Sequence, residues 1–571
     1  MAVSVAGPRS IINIGYYTDP TGKRHTVEIS REAYEFLKDL WARTGGDSDQ
    51  IAASGEYNQG GSGAVTRSVS SRLSDRVSVK DFGAVGNGTT DDTTACQNAL
   101  DYMLSSGRRG NLFFPPGDYL ISDTLTVEGL SIGVEGEASE LSSVITAAHL
   151  SGPVFRMKDR NAVCRFLNIT STSARQAAAL SDNHGILIEA DDVAGQAADR
   201  GLYDNLYIQK QPGHGIVVIG ASYHCSFKRS IIRDCGGHGL VYDDGTLTTR
   251  TNKELPGIST VEELEIFDND GHGVIIGNDD NGVSNRGLRV IINNCDIFRN
   301  AEAAGPRKSA DQIWMFGDLC AIRDTALGGH DKDQTAATTR GALVAGRSNR
   351  FENNRYLNVT PQALRFQTIS SWPTEGCVVE EMFVVGSNQP DLSPAVLIDS
   401  DVDSVRVWSR NTFKVDRLVT DNSSGRDRTV EVRQKTTLES VTNSAVLQND
   451  DQLFAALLPE ERAGFACHLW VNGPAAGDIQ ISFSVPAGAS LRWGPTGGMK
   501  VDSAGSVVVQ DSVTSGSIVF GADTSPRLIS LVGEVLNGGT AGNLQLQWAQ
   551  SLADPTPTNI RAQSRLEVYR G

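Results

Sequence analysis

Several things are scarce in this chain, and each scarcity excludes something. Aromatic residues make up only 6% of its 571 residues and charged residues 21%, against 59 glycines, a balance that suits a turn-rich β protein better than a helical bundle. Net positive charge is missing: the formal charge is −17, and no basic stripe offers a nucleic-acid groove. No run approaches the roughly 18 apolar residues of a membrane span, so membrane insertion is not expected. The opening "MAVSVAGPRS" lacks a signal-peptide core, which reads as synthesis in a cytoplasm with any export by another route. The closest cysteines of the eight, Cys225 and Cys235, are too far apart for a C-x-x-C zinc or redox signature. Free, buried thiols are the expectation. No Gly-x-Ser-x-Gly elbow, H-E-x-x-H or P-loop occurs, which removes esterase, zincin and NTPase readings. Neither a cofactor nor a metal is implied.

What is present is repetition. "LYIQKQPGHGIVVIG", "SIIRDCGGHGLVYDD" and "LEIFDNDGHGVIIGN" each join an apolar strand, a polar turn, a Gly-His-Gly corner and another apolar strand. Histidines 184, 214, 238 and 272 recur at unequal intervals in the range of solenoid coils. Later segments such as "RYLNVTPQALRFQTIS" keep the plan without the histidine. Stacked coils place equivalent residues about 4.8 Å apart, so the four histidines are expected to form a corner ladder, with glycine permitting the sharp corner. A metal site or general acid/base role is the weaker reading, because a column at one solenoid position offers no tetrahedral cage. Cys164, Cys225, Cys295 and Cys377 each open a coil; if equivalent, they form an inward stack.

The flanks differ. "SREAYEFLKDLWARTGG" spaces Ala33, Phe36, Leu37, Leu40 and Trp41 as one helical stripe after an N-cap at Ser30. Residues 46–75 are rich in Gly and Ser and read as a linker or extended arm. In "TTDDTTACQNALDYMLSSG", Cys96, Ala99, Leu100 and Met103 make a second helical stripe ended by Gly107. From residue 426, "GFACHLWVNG", "GDIQISFSVP", "LISLVGEVLNGG" and "GNLQLQWAQS" alternate as antiparallel strands, the spacing of a β-sandwich.

The stretch "VKDFGAVGNGTTDD", the short helix and "FFPPGDYLI" resemble the opening of pectate-lyase-like right-handed parallel β-helix proteins, a group that includes polygalacturonases, exo-glucanases and phage tailspikes. The N-terminal helix is similar to podovirus-type virion-anchoring segments, and the C-terminal "GNLQLQWAQSLADPTPTNIRAQSRLEVYRG" to phage-type β-sandwich modules. The expected fold is mainly β: anchor 1–45, linker 46–75, parallel β-helix with a capping helix 76–425, C-terminal β-sandwich for trimerisation or receptor and glycan binding 426–571. The resemblance implies a homotrimer in the virion tail, held to tail or portal-region proteins through residues 1–45. It also implies binding, and often cutting, of host capsule or lipopolysaccharide. Polygalacturonases carry a functional Gly-His-Gly, but their "NTD" motif is absent here and the two "R-x-K" triplets, Arg156-Met157-Lys158 and Arg433-Gln434-Lys435, lie outside the run of Gly-His-Gly triplets, so that mechanism is not carried over.

Glycoside hydrolysis needs two carboxylates. Asp243, Asp244, Asp279 and Asp280 follow corner strands in adjacent coils and are the primary candidates, with Glu189, Asp191 and Asp192 secondary and Asp311 and Asp318 further along. The alternative reading of Asp243, Asp244, Asp279 and Asp280 is solvated turn aspartates or Asx-turn caps. Asp268 and Asp270 read as turn formers. A lyase would instead use Tyr223, His224, Lys228 and Arg229, a weaker case. The reading is a tailspike that binds and depolymerises host surface glycan, the alternative a non-catalytic receptor-binding spike or virion structural protein. A free-standing pectinase-like enzyme fits the two ends of the chain less well.

Overall fold

In a computed structural model of the chain, the structure describes residues 11–30, 33–36, 55–137, 142–148, 151–158, 160–172, 182–189, 198–220, 222–243, 257–277, 289–300, 311–329, 340–357, 359, 362–368, 373–385, 394–408, 411–413, 419–423, 429–474, 476–501, 506–509 and 513–570. The chain divides into a small unit, Met1–Val77, and a large one, Ser78–Gly571. In the small unit Ile11–Thr18 and Arg24–Ser30 form an antiparallel hairpin. Residues 33–36 are helical, and Ser30 Oγ accepts from the Ala33 amide at 3.1 Å, the expected N-cap. Leu37, Leu40 and Trp41 lie outside the described residues.

The large unit opens with the capping helix Thr93–Ser105, which buries Cys96, Ala99, Leu100 and Met103, the stripe read from the sequence. Its start differs in one respect. Asp92 stands at the N-cap without capping; its carboxylate instead accepts from the amides of Val85 and Gly86 at 2.7 and 2.9 Å, pinning the turn before it. Asp91 takes over at the helix start, accepting from the Thr93 amide at 3.0 Å.

Then the chain winds as a right-handed parallel β-helix. Every coil contributes one short strand to each of three long parallel sheets, of 11, 12 and 11 strands. The first runs from Gly110–Phe113 to Arg406–Trp408, the second from Asn87–Asp91 to Asn411–Phe413, the third from Leu125–Val127 to Val419–Asp421. Inward positions alternate with outward ones, so Val134, Tyr203, Phe227, Val261, Ile292 and Ile322 line the interior of the first sheet at 0–1% exposure. From the strand Val163–Arg165 to the strand Val378–Glu380, the turn from the first sheet to the second is two residues, and its first residue is left-handed: Phe166, Asn205, Arg229, Glu263, Asn294, Asp324, Asn353 and Glu381, with φ between 43° and 58°. Over these coils the loops of varying length fall at the other two corners, which is why the histidine spacing is unequal.

The single cysteine column does not form. Cys164 lies within its strand, opposite Tyr203. Cys225, Cys320 and Cys377 precede first-sheet strands, whereas Cys295 precedes a second-sheet strand. All eight cysteines are buried and free, as expected. At these corners the thiol donates to the carbonyl two residues back, as in Cys295 to Asn293 at 3.3 Å. Ser230 and Thr325 do the same through hydroxyls at 2.7 Å. The second residue of the turn from the first sheet to the second is Leu167, Leu206, Ser230, Leu264, Cys295, Thr325, Asn354 or Met382, so the position is not specific to cysteine.

The last solenoid strand is followed by two antiparallel sheets, of seven and four strands. The segments read as strands are Arg462–Asn472, Ile479–Ser484, Arg527–Leu536 and Gly542–Gln550. One core, including Phe465, Leu531 and Trp493 from one sheet and Ile481, Leu546 and Trp548 from the other, joins them as a sandwich.

Candidate functional site

The histidines are explained first, because they mark the entry corner of the third sheet. His184, His214, His238 and His272 stack ring on ring, with centroids 4.9, 4.8 and 5.1 Å apart. Each Nδ1 accepts an amide from the next coil: His214 N to His184 at 3.2 Å, His238 N to His214 and His272 N to His238 at 2.8 Å, and Asp311 N to His272 at 2.9 Å. A nitrogen that accepts carries no proton, so every ring is the neutral Nε2–H tautomer. Burial, then repulsion from His214, holds His184 well below the usual imidazole range. Such a column is a structural ladder, its Nδ1 atoms spent on backbone.

The flanking glycines have a different cause from the one expected. They are not among the residues at positive φ; the left-handed residues near this corner are Lys210, Asp234 and Asp268. A Cβ on Gly237 would lie 2.4 Å from His214 Nδ1 and one on Gly271 2.3 Å from His238 Nδ1. One on Gly215 would meet Ile232 at 2.3 Å and the Gly239 carbonyl at 2.6 Å. The triplet is glycine–histidine–glycine because neighbouring coils approach too closely for a side chain.

The acidic candidates mark the opposite end of the same strands. Ile186–Glu189, Ile216–Ile219 and Leu240–Asp243 are neighbours in the third sheet, and their register places Glu189, Ile219 and Asp243 in one row across it. Of Asp243 the structure describes only this backbone position. Asp244, Asp279, Asp280, Asp191 and Asp192 lie outside the described residues, each following a third-sheet strand in the sequence. Glu189 is 2% exposed. Arg156 approaches it at 3.2 Å and Lys158 at 3.9 Å, from the strand one coil earlier. Beside these charges on the same face of the sheet, Leu187, Val217, Ile219 and Val241 form a buried apolar cluster with Ile275 against it. Their alternation with the core residues Ile186, Val218 and Leu240 puts that cluster on the outside of the sheet.

Farther along the same sheet, Arg340 holds Asp311 at 2.7 Å and Arg365 holds Asp399 at 2.8 Å. Burial raises the Asp311 carboxyl above its usual range despite the opposing pull of Arg340. Trp314 closes the histidine ladder edge-on against His272, centroids 4.4 Å apart. Asp318 is a turn former, accepting from the Arg347 amide at 2.7 Å. Asp268 is left-handed and paired with Arg299 at 2.9 Å. The cations Arg156, Lys158, Arg340 and Arg365 were missed in the sequence; their signal was a basic residue one strand away, by register, from a carboxylate.

The alternative basic cluster does not converge. His224 pairs with Asp199 at 3.1 Å, Lys228 with Glu262 at 3.0 Å and Arg229 with Asp204 at 2.6 Å. In the sandwich, Glu439, Asp450 and Asp451 converge with the spacing of a cation site. The Lys435 ammonium, itself 0% exposed, is bonded to all three, at 2.6, 3.1 and 2.5 Å. The cation of this cluster is supplied by the chain. Among the described residues no helix is long and apolar enough to cross a membrane.

Comparison with known proteins agrees with this architecture. Residues 76–153 match the family described as rhamnogalacturonase A/epimerase, pectate lyase-like. The chain is 28% identical to the tail spike protein of Shigella phage Sf6 over 182 residues, 28% of each chain. It is 31% identical to the mannuronan C5-epimerase AlgE6 of Azotobacter vinelandii over 86 residues, 12% of this chain and 10% of that one. The chain thus matches less than a third of the length of these curated relatives. Full-length tailspike protein 2 from Escherichia coli O157:H7 bacteriophage CAB120 aligns with a TM-score of 0.44 at 11% identity, over 99% of this chain and 88% of its own. The chain carries a pectate-lyase-like parallel β-helix and resembles phage tailspikes.

Proposed function

We propose that this chain is a tailspike of a phage virion that binds a host surface polysaccharide, capsule or lipopolysaccharide, and cuts it by glycoside hydrolysis at the exit corner of the third sheet. The observation that carries the reading is the register: it aligns Glu189 and Asp243 two coils apart, about 10 Å between backbones at 4.8 Å per coil. Side chains on such a frame can reach the roughly 6.5–9.5 Å separation of an inverting pair. Asp243 is assigned as acid and Glu189, positioned by Arg156 and Lys158, as base. Asp244, Asp279, Asp280, Asp191 and Asp192 are assigned as sugar-hydroxyl ligands or as the second carboxylate.

Purified host capsular polysaccharide and lipopolysaccharide incubated with the protein should gain reducing ends without the ultraviolet absorbance of an unsaturated uronate. Asp243→Asn should lower kcat by about 10²–10⁴-fold with binding retained. New absorbance would replace hydrolysis with elimination. A second reading, a spike that binds without cutting, is favoured by the burial and ion pairing of Glu189. Retained binding with no new ends would establish it.

A further inference from the structure

One cluster in the sandwich is built beyond what a salt bridge requires. Lys435 follows the strand Thr429–Gln434, and Asp450 lies in Gln448–Leu457, where the register to Gly542–Gln550 breaks between Asn449 and Phe454. At that irregularity Asp450 is buried while its neighbours Asn449 and Asp451 are exposed. The side chains of Lys435 and Asp450 are both 0% exposed. Lys435 Nζ stands 3.1 Å from Oδ1 and 3.1 Å from Oδ2 of Asp450, equidistant from the two oxygens and so within reach of the carbon between them. Oδ1 also accepts the amides of Gln452 and Leu453, at 3.0 and 2.8 Å. Glu439 reaches Nζ at 2.6 Å, and Asp451 closes the outer side at 2.5 Å. Holding one cation needs neither three carboxyls nor two amides on one acceptor oxygen.

We propose that Lys435 and Asp450 become joined by an intramolecular isopeptide bond, formed by the folded sandwich itself. Lys435 Nζ attacks Asp450 Cγ. The amides of Gln452 and Leu453 hold the oxyanion that develops at Oδ1, and Oδ2 leaves as water. An ammonium and a carboxylate become an amide and one water, so no oxidant, reductant or co-reactant enters. The water takes two protons, both from Nζ. One crosses directly to Oδ2. The other passes through Glu439, which gives its own proton to Oδ2 and takes one from Nζ. Burial pushes the Glu439 carboxyl up, toward the protonated form that this relay needs. Burial also draws Lys435 toward the free amine, but its carboxylate partners outweigh it, so the ion cluster is the resting reactant and the bond forms slowly, once per chain. In water an ion pair is preferred to an amide. Burial reverses that order, because a buried pair has lost its hydration and the amide carries no charge. In a chain whose eight cysteines are all free, such a tie restricts the unfolded state as a disulfide does. The inference stands apart from the hydrolytic reading.

Intact-mass spectrometry of the denatured full chain tests it. The wild type, held for days at neutral pH after folding, should be lighter than its sequence by one water. Trypsin should leave it uncut after Lys435, and further cleavage after Glu439 should leave the piece carrying Lys435 joined to the piece carrying Asp450. Lys435→Arg, which keeps the cation but offers no nucleophilic amine, should keep the full sequence mass. Glu439→Gln should slow the loss of water by about 10²–10⁴-fold, with a circular dichroism spectrum matching the wild type's. A wild type of full mass would overturn the proposal. So would a water still missing in Lys435→Arg, or one traced to a succinimide elsewhere in the chain.

Discussion

The solenoid and the sandwich bury polar groups in opposite ways. At the solenoid's corners the buried polar groups are mostly neutral: four imidazoles stacked through His214, an amide chain from Asn269 through Asn300 to Gln312 at 2.8 and 2.7 Å, and weak donors such as Cys295 and Thr325. The sandwich buries ions. Lys435 sits among three carboxylates, and Arg570, 2% exposed, pairs with Glu431 and Glu461. The reason is geometric. In a solenoid each position has near-copies of itself about 4.8 Å away on both sides. A buried charge repeated there would lie against its own kind, so the exceptions, Glu189 and Asp311, each pair with an arginine of a neighbouring coil, whereas an amide or imidazole both donates and accepts and can repeat indefinitely. Each sandwich strand has a unique neighbour, so opposite charges can be matched across it.

The sharpest break of that comparison is Lys435→Met. It removes the ammonium and leaves Asp450 buried and Glu439 mostly buried beside Asp451. Breaking a buried ion cluster from one side costs about 3–5 kcal/mol. The denaturant midpoint should fall accordingly, and peptide-resolved hydrogen exchange should place the loss in residues 429–570. A change near zero would mean that the cluster is solvated and that the sandwich does not depend on buried charge.

Acid should separate the regions at a smaller amplitude. His184 in the folded chain takes up a proton only well below its usual value, whereas the unfolded ring titrates near pH 6.5. The unfolded state therefore binds more protons below about pH 6.5, and the solenoid loses stability as pH falls from there, by up to about 1.4 kcal/mol per pH unit for each such ring. In the sandwich, burial pushes Glu431 up but Arg570 and Arg433 outweigh it, so its carboxyl lies below the usual range. Its contribution is present above the unfolded value, about pH 4.3, and is lost only below it. Exchange measured between pH 7 and 5 and corrected for intrinsic rates should loosen around residues 182–273 first. Simultaneous loosening of the sandwich would contradict the assignment of neutral and ionic interiors.

Much of this contrast was legible in the sequence. The Gly-His-Gly triplets announced a ladder, because an imidazole repeated at coil intervals has few other uses, and the sandwich strands showed in their alternation. The cysteine column misled, because the corner accepts Cys, Ser, Thr, Asn, Leu or Met and one residue type does not trace it. The two-residue turns were hidden for the same reason: the left-handed position holds Phe166, Arg229 or Glu381 as readily as Asn205. At the candidate site the sequence supplied the acids but not their cations, since the coil-to-coil register that brings Arg156 to Glu189 depends on loop lengths that no local pattern reveals.

The solenoid does use charge, but on its outside and in alternation, and the smallest effect is expected there. Along the outer first sheet the register runs Arg165, Asp204, Lys228, Glu262, Asn293, Arg323, Glu352. Near-copies at coil spacing would repel, so the sign reverses at most steps, and Arg323 meets Glu352 at 2.8 Å. The Arg323 side chain is 41% exposed, water screens the pair, and such bridges contribute about 0–1 kcal/mol. Arg323→Ala should therefore shift the denaturant midpoint barely, and Arg323→Glu, which sets like charges side by side, somewhat more. Added salt should erase most of the difference between the two variants. If Arg323→Ala instead matched Lys435→Met in cost, exposure would not be what separates the charges of the two regions, and the outer ladder would have to count among the forces that hold the coils in register.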